Sequence, residues 1–497
     1  MIPVVDLFAG PGGLNEGFSS VQDDDGNPAF KTVASFEMEK NACDTLRLRT
    51  ALRIMRRDGE FPKDYYRFLQ GLVTWDDFAA LPAVHDALTE AGSEVHQIEL
   101  GPKKRPVSDE LIRQALLSHL TETNAPWVLT GGPPCQAYSL AGRSRRTKDE
   151  DFEQDKKHFL FREYLHILEE FQPAIFVMEN VKGLLSATHS GRGMFKRILS
   201  DLSTPPDGRG YEIRSLVVPR GVERVKPEDF VIRAERFGIP QRRHRVILLG
   251  VRNDLASDTP HWVLSPSGEV TLRSAIEDLP PLRSGISPKR SDNWHSWVAL
   301  RDEAHGLASR ELDGSTRCLD GDLTIGSRFG EYSAPAPTNA YQRWILDPNV
   351  GGVTLHETRT HMEADLRRYG FLSRMAEVGQ IYKLGDLPDS LIPAHKNVDM
   401  PNTPFTDRFR VQLWDAPSTT IVSHISKDGH YYIHPDSRQM RSLTVREAAR
   451  LQSFPDNYIF MGGRTQQYHQ VGNAVPPFLA HQIATTVAGL LGVDTVG

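Results

Sequence analysis

The sequence predicts an α/β fold: a mostly parallel sheet covered by helices on both faces, with a second, irregular domain. Three observations predict it. Residues 2–37 read as strand, glycine turn, helix, and a second strand that ends on an acid. Buried strands recur at 127–130, 174–178 and 246–251, with helical stretches such as 158–170 between them. From about 256 to 410 the alternation fades into Pro, Gly and Ser clusters with scattered Arg, Trp and Tyr, and regularity returns after about 440.

In chain order, residues 2–8 form a short β-branched run closing on Asp6-Leu7-Phe8, and Ala9-Gly10-Pro11-Gly12-Gly13 makes a tight turn. Thr32 to Glu37 is the second strand. Residues 41–125 look mostly helical, carry the basic Lys103-Lys104-Arg105, and read as an insertion without chemistry. Thr444 to Gln452 and Pro477 to Leu491 are amphipathic helices. The expected divisions are 1–255, 256–435 and 436–497, the last returning to the first domain.

The 497 residues are 39% hydrophobic and 25% charged, ordinary for a soluble globular protein. A net charge of -6 counts against a generic nucleic-acid binder, although a local basic face can sit on an acidic protein. No apolar run is long enough to cross a bilayer, and the opening Met1-Ile2-Pro3-Val4-Val5-Asp6 reads as a strand rather than a signal peptide, so a cytoplasmic protein is expected. Cys43, Cys135 and Cys318 are odd in number and far apart, which argues against a disulfide framework and against a metal site.

Four motifs carry chemistry. The glycines at 10, 12 and 13 let the backbone approach a ligand, and Glu37 is placed to accept hydrogen bonds from ribose hydroxyls. Alone this also reads, with less weight, as a plain β–α turn, and its spacing is not that of a nicotinamide enzyme. Gly131-Gly132-Pro133-Pro134-Cys135-Gln136-Ala137-Tyr138-Ser139 follows a buried strand, and its prolines make a rigid turn that presents Cys135 at the carboxyl end of the sheet. Such a turn is a poor place to store an inert thiol. Phe176-Val177-Met178-Glu179-Asn180-Val181 closes an apolar strand on a carboxylate that can donate a proton, with helix capping as the competing reading. In Gln241-Arg242-Arg243-His244-Arg245, alternation puts Arg243 and Arg245 on one side, although a solvated strand start reads the same way.

In this order the four blocks closely resemble the DNA cytosine-5 methyltransferase family. Arg441 to Phe454-Pro455 and Gln470-Val471-Gly472-Asn473-Ala474-Val475-Pro476-Pro477 strengthen the match. It runs in six blocks from residue 4 to about 480, and leaves 41–125 and 256–410 uncovered. The resemblance implies a Rossmann-like fold that binds S-adenosylmethionine (SAM) at Phe8, Ala9, Gly10, Gly12, Gly13 and Leu14, then at Glu37, Met38, Pro134, Asn473 and Ala474. It implies Cys135, Glu179, Arg243 and Arg245 as catalytic residues, and residues 256–435 as a target-recognition domain. One departure stands out. Family members usually end the third strand on an Asp that contacts adenine, and the nearest match here, Gly71-Leu72-Val73-Thr74, has Leu72 there, leaving Asp76, Asp77 or plain packing as substitutes.

The implied reaction adds the thiolate of Cys135 to C6 of cytosine, because C5 becomes nucleophilic only after such an addition. Glu179 would hydrogen-bond N3 and the amino group, and Arg245 would hold O2. C6 is inaccessible inside a duplex, so the base must be flipped. Arg143, Arg145, Arg146 and Lys148 then read as a lid closing on phosphates, with Gln136, Ser139 and Thr420 as further DNA contacts. The partner is duplex DNA, met by a monomer, with a restriction or phage-defence complex as an accompanying expectation. A tRNA cytosine-5 methyltransferase of the same fold is the alternative, but such relatives are compact, and the long stretch between Arg245 and Arg441 suits a reader of duplex DNA.

Overall fold

A computed structural model describes residues 1–56, 59–120, 122, 125–134, 160–189, 192–203, 210–219, 225–257, 259–260, 262–289, 292–311, 322–394 and 408–495. The chain divides into two compact units. The first comprises Met1–Pro62, Ala79–Glu269 and Ala474–Gly497, and the second Lys63–Phe78 and Val270–Asn473.

The first unit is built on a sheet of eight strands among the described residues: β1 (Ile2–Leu7), β2 (Phe30–Glu37), β3 (Val95–Gln97), β4 (Val128–Gly131), β5 (Ile175–Val181), β6 (Tyr211–Arg214), β7 (Val231–Arg233) and β8 (His244–Arg252). The order is β3-β2-β1-β4-β5-β8-β6, with β7 also pairing β8. The first five strands run parallel, and β8 is antiparallel to β5, β6 and β7. Strand order reverses between β1 and β4, the point where open α/β sheets bind ligands at their carboxyl ends.

The central strands β1, β4 and β5 carry buried apolar residues on both faces, so both faces are covered. On one, Val4, Val128, Val177, Ile247 and Leu249 pack with Leu14 and Phe18 of α1 (Gly13–Ser19) and with Leu479, Ile483 and Val487 of the C-terminal helix Pro477–Leu490. On the other, Leu7, Leu129, Met178 and Leu248 meet the helices Arg105–His119, Leu160–Phe171 and Met194–Ser203. The contact of α1 with the C-terminal helix is backbone on backbone. A β-carbon on Gly13 would stand 2.1 Å from the Val475 carbonyl oxygen, and one on Gly17 would stand 2.4 Å from the Ala480 β-carbon. Glycines one turn apart thus let the chain's last helix close against its first.

The stretch 41–125 differs from its reading as a helical insertion. Its helices Lys40–Met55 and Pro82–Glu94 flank β3, which extends the sheet beside β2. Three residues are too short for a period-2 signal, so the strand was invisible in the sequence. Residues 63–78 group instead with the second unit, where the Tyr65 hydroxyl donates to the Asn457 carbonyl at 2.6 Å and Gln70 Nε2 to the Val350 carbonyl at 3.0 Å.

In the second unit, helices Trp294–Glu311 and Glu363–Glu377 enclose Trp297, Tyr369, Phe371 and Met375, and strands Gly326–Gly330 and Val353–Glu357 pair antiparallel. Helix Val445–Leu451 starts where expected, at a capping box in which Thr444 Oγ1 accepts from the Glu447 N–H at 3.2 Å and Glu447 Oε2 from the Thr444 N–H at 2.7 Å. It belongs to this unit, as does everything to Asn473, whereas the expected return to the first domain began at 436. Buried arginines explain the difference. Arg441 holds Glu447 at 2.6 and 2.7 Å, Arg446 donates to the Thr354, Pro455 and Tyr458 carbonyls, and Arg450 binds both Asp456 and Asp278.

Gly17→Ala should destabilise the protein by about 1–3 kcal/mol, since the new methyl meets backbone that cannot yield; an unchanged chemical-denaturation midpoint would contradict the packing described. The second unit should also be acid-sensitive. Burial lowers His356 to about 4, and His361 and His434 to about 3. The unfolded chain binds these protons near pH 6.5 and the folded chain does not, so this stability is present above about 6.5 and is lost as pH falls toward 4. The urea midpoint should be lower at about pH 5 than at about pH 7.5.

Candidate active site

The ladders align the ends of β1 and β4 with Met178 of β5: Leu7 pairs with Gly131, and Gly131 with Met178. The next residues, Phe8, Gly132 and Glu179, therefore lie at one level on the carboxyl edge. A β-carbon on Gly131 would stand 2.7 Å from the Leu7 carbonyl oxygen, and one on Gly132 3.2 Å from Glu179 Oε2. The paired glycines let β4 end flush with its neighbours and bring the following loop against the carboxylate. Asn180 secures that loop: its Nδ2 donates to the Pro133 carbonyl at 3.1 Å. The competing reading of this segment as a helix cap fails, because the 3-10 helix Lys182–Ser186 has no side-chain cap.

Glu179 meets a cation, with Arg245 Nε 2.9 Å from Glu179 Oε1 and both side chains largely buried. Ile247 pairs with Glu179 and Arg245 with Val181, so the two charges are diagonal neighbours on one face of the sheet. Arg243 is placed by a different device. Its N–H donates to the Gln241 carbonyl at 2.9 Å, a tight turn that delays the extended strand to His244, and Arg243 is buried within that link.

At the glycine turn, Phe8, Gly10 and Gly12 all have positive φ, at 56°, 56° and 91°. For Phe8 this is a strained conformation costing about 1–3 kcal/mol. Glu37 holds the turn: its Oε2 accepts from the Gly10 N–H at 2.8 Å, and its Oε1 from Met38 and Glu39 at 2.9 and 2.8 Å. Burial raises its pKa while these three N–H groups oppose the shift. Two carboxylate oxygens offer about four acceptor sites, so Oε2 keeps capacity for a hydroxyl. Open space lies where a Gly10 side chain would be. These features fit the ribose end of SAM. The Ala9 N–H closes the turn onto the Phe36 carbonyl at 3.1 Å, the Leu14 side chain is spent in the core, and Met38 is exposed.

The other expected positions divide. Pro134 is partly buried at the loop, Ala474 joins the first unit, and Asn473 ends helix Arg464–Asn473 in the second. Thr420 lies in the second unit, its carbonyl accepting from the Tyr432 hydroxyl at 2.9 Å. Cys135, Gln136, Ser139, Arg143, Arg145 and Arg146 lie outside the described residues. The third strand ends at Gln97 and Ile98, whose N–H donates to the Glu37 carbonyl at 2.9 Å. Leu72, Asp76 and Asp77 are therefore not at its end, because segment 63–78 packs elsewhere. The role of Asn180 as a tether was not foreseen; an amide beside the strand-end acid was its only signal.

The description C-5 cytosine-specific DNA methylase matches residues 114–488. The chain belongs to this family. A type II methyltransferase of Bacillus paralicheniformis is 35% identical over 504 residues, covering 98% of this chain and 99% of the relative. One of Haemophilus parahaemolyticus is 26% identical over 483 residues, covering 97% and 86%. Among solved structures, a prophage-encoded E. coli protein described as a DNA modification methyltransferase superposes with a TM-score of 0.52 at 17% identity, over 99% of this chain and 100% of that one, a likeness of fold. This family member is a DNA cytosine-5 methyltransferase whose methyl donor is SAM and whose substrate is duplex DNA. Among its described residues no helix is long and apolar enough to cross a membrane.

Glu37→Ala should weaken SAM binding roughly ten-fold or more, since a charged acceptor is lost. Calorimetry on the full chain checks this, and an unchanged affinity would remove Glu37 from the cofactor site.

Proposed function

We propose that Cys135 is the nucleophile, that Glu179 and Arg245 hold the target cytosine, and that SAM lies over the turn at residues 8–14 with Glu37 on its ribose. The observation that carries this is the Glu179–Arg245 pair, set against the Gly132–Pro134 loop on the carboxyl edge. The chemistry of the other cysteines supports the choice. Cys43 is buried, its thiol donates to the Glu37 carbonyl at 3.3 Å, and burial pushes it up to about 12, so no useful thiolate forms there. Cys318 stands in no reactive motif.

In this reading the Cys135 thiolate bonds to C6 of a flipped cytosine while Glu179 passes a proton to N3. Arg245 holds O2 and keeps the Glu179 carboxyl oriented. The sulfonium of SAM supplies an electrophilic methyl group, which C5 takes once C6 carries sulfur. Loss of the C5 proton to water, return of the N3 proton to the Glu179 carboxylate and departure of the Cys135 thiolate restore the aromatic ring. Residues 256–435 select the sequence through polar side chains on irregular loops, Thr420 among them. Arg143, Arg145 and Arg146 close on phosphates, with Gln136 and Ser139 nearer the base. Arg243, Asn473 and Ala474 complete the machinery. The protein acts in the cytoplasm as a monomer on DNA, beside a cognate restriction or phage-defence system, a reading supported by the type II names of its relatives.

Fluorine at C5 blocks the last elimination, because it cannot leave as a cation. Duplex with 5-fluorocytosine at the target should therefore give a denaturation-resistant complex with protein and SAM, and peptide mapping should place the link at Cys135. Cys135→Ser should abolish trapping and methylation while duplex binding largely survives. Robust methylation of the correct cytosine by Cys135→Ser would falsify the mechanism.

A further inference from the structure

Among the described residues the guanidinium of Arg245 has two anchors: Nε lies 2.9 Å from Glu179 Oε1, and Nη1 donates to the carbonyl of His244 at 3.0 Å. The second anchor is the backbone of the preceding residue. Where the His244 carbonyl stands therefore sets where the guanidinium stands. His244 is in turn gripped by its side chain, whose Nε2 lies 2.8 Å from Glu235 Oε1. Glu235 sits on the 3-10 turn Ala234–Phe237 that links β7 to the strand-opening segment, and the β7 ladder pairs His244 with Arg233 and Arg245 with Ile232. Successive strand residues point to opposite faces, so the carboxylate works from the side away from Arg245.

A strand clamp made only for stability would be expected to satisfy its buried groups. Glu235 is 8% exposed, and its Oε2 finds no hydrogen-bond partner among the described residues. A half-satisfied buried carboxylate is costly to keep. Its satisfied oxygen is spent on the residue whose carbonyl orients the guanidinium.

We infer that Glu235, acting through His244, is a positioning residue for Arg245: it holds the start of β8 so that the His244 carbonyl aims the guanidinium at Glu179. The inference rests on the roles proposed for Glu179 and Arg245. Glu235 itself touches neither base nor cofactor.

Single-turnover methylation of the target duplex by the full chain tests this in four proteins: the unaltered enzyme, Glu235→Ala, Arg245→Ala and the double variant. Glu235→Ala should lower the rate about ten-fold, with KM for duplex and for SAM changed less than about two-fold, as a misplaced group costs rate rather than uniform binding. In the Arg245→Ala background the same substitution should change the rate by less than about two-fold, since it acts only through the missing side chain. Glu235→Gln should restore most of the rate, because its amide oxygen still accepts from the imidazole. His244→Ala, at a partly exposed position, should repeat the loss and carries the comparison if Glu235→Ala does not fold. Equal losses in both backgrounds, no rescue by Glu235→Gln, or a change confined to KM would each overturn the inference. Full activity of Arg245→Ala would overturn the role of Arg245 itself, a separate outcome.

Discussion

Gly131 lies between Leu7 and Met178 in the sheet, where a β-carbon would stand only 2.7 Å from the Leu7 carbonyl oxygen. β1 and β4 end at this level, beside Met178 of β5, which runs on to Val181. The glycine turn after β1, the proline loop after β4 and the carboxylate of β5 then share one edge, and each is held by a neighbour. Glu37 gathers the N–H groups of Gly10, Met38 and Glu39, and Asn180 takes the Pro133 carbonyl. Were β4 to end a residue early or late, the loop that leads to Cys135 would leave the level of Glu179. The turn at Phe8, the loop at Gly132 and the Glu179 carboxylate are set by sheet register, which is rigid.

The same principle governs the other side of the fold. Gly13 and Gly17 let the C-terminal helix rest on the backbone of α1, so residues nearly the whole chain apart in sequence stabilise the turn from below. Two arginines on helix Lys40–Met55 reach Glu16 of α1 at 2.5 Å for Arg49 and 2.7 Å for Arg53. Burial alone would raise Glu16, but the paired cations hold it down at about 2. Breaking such a pair leaves an uncompensated buried charge at a cost of about 3–5 kcal/mol, so α1 is pinned from two directions. The second unit uses more of this economy, with Arg441, Arg446 and Arg450 fully enclosed around Glu447 and Asp456. Many of the chain's cations are thus structural, and net charge is a poor guide to whether it binds DNA.

What was legible in the sequence follows from range. Strands β1, β2, β4, β5 and β8 were read from local pattern because each is a run of buried β-branched and aliphatic residues long enough to count. Glu37, the last residue of β2, and Glu179, two residues before the end of β5, were legible for the same reason, each being a charge that closes an apolar run. Strand β3 was not, because three residues carry no period, and its absence led the third-strand acid to be sought near Leu72, in a segment that packs with the other unit. Arg243 was grouped with Arg245 by alternation; the tight turn from Gln241 to Arg243 just before them left no mark in the local pattern. The block from Arg441 to Pro455 was legible as a motif, but its unit was decided by buried ion pairs with residues as distant as Asp278, which no local pattern records.

The direction of β8 explains why the arginine stands where it does. In a parallel sheet each strand delivers only its last residues to the carboxyl edge, and those positions lead into the loops and helices that follow. An antiparallel strand begins at that edge. Arg245, the second residue of β8, therefore arrives beside Glu179 near the end of β5, and the rest of the strand, Val246 to Val251, runs down into the core and anchors it. An arginine on a loop would have to be ordered at the moment of reaction; one at the head of a buried strand is ordered in advance. The ion pair then orients the carboxyl proposed to face the cytosine ring, with the guanidinium's own position limited by the His244 carbonyl. One reversal of strand direction thus supplies a preorganised cation to an edge otherwise made of strand ends.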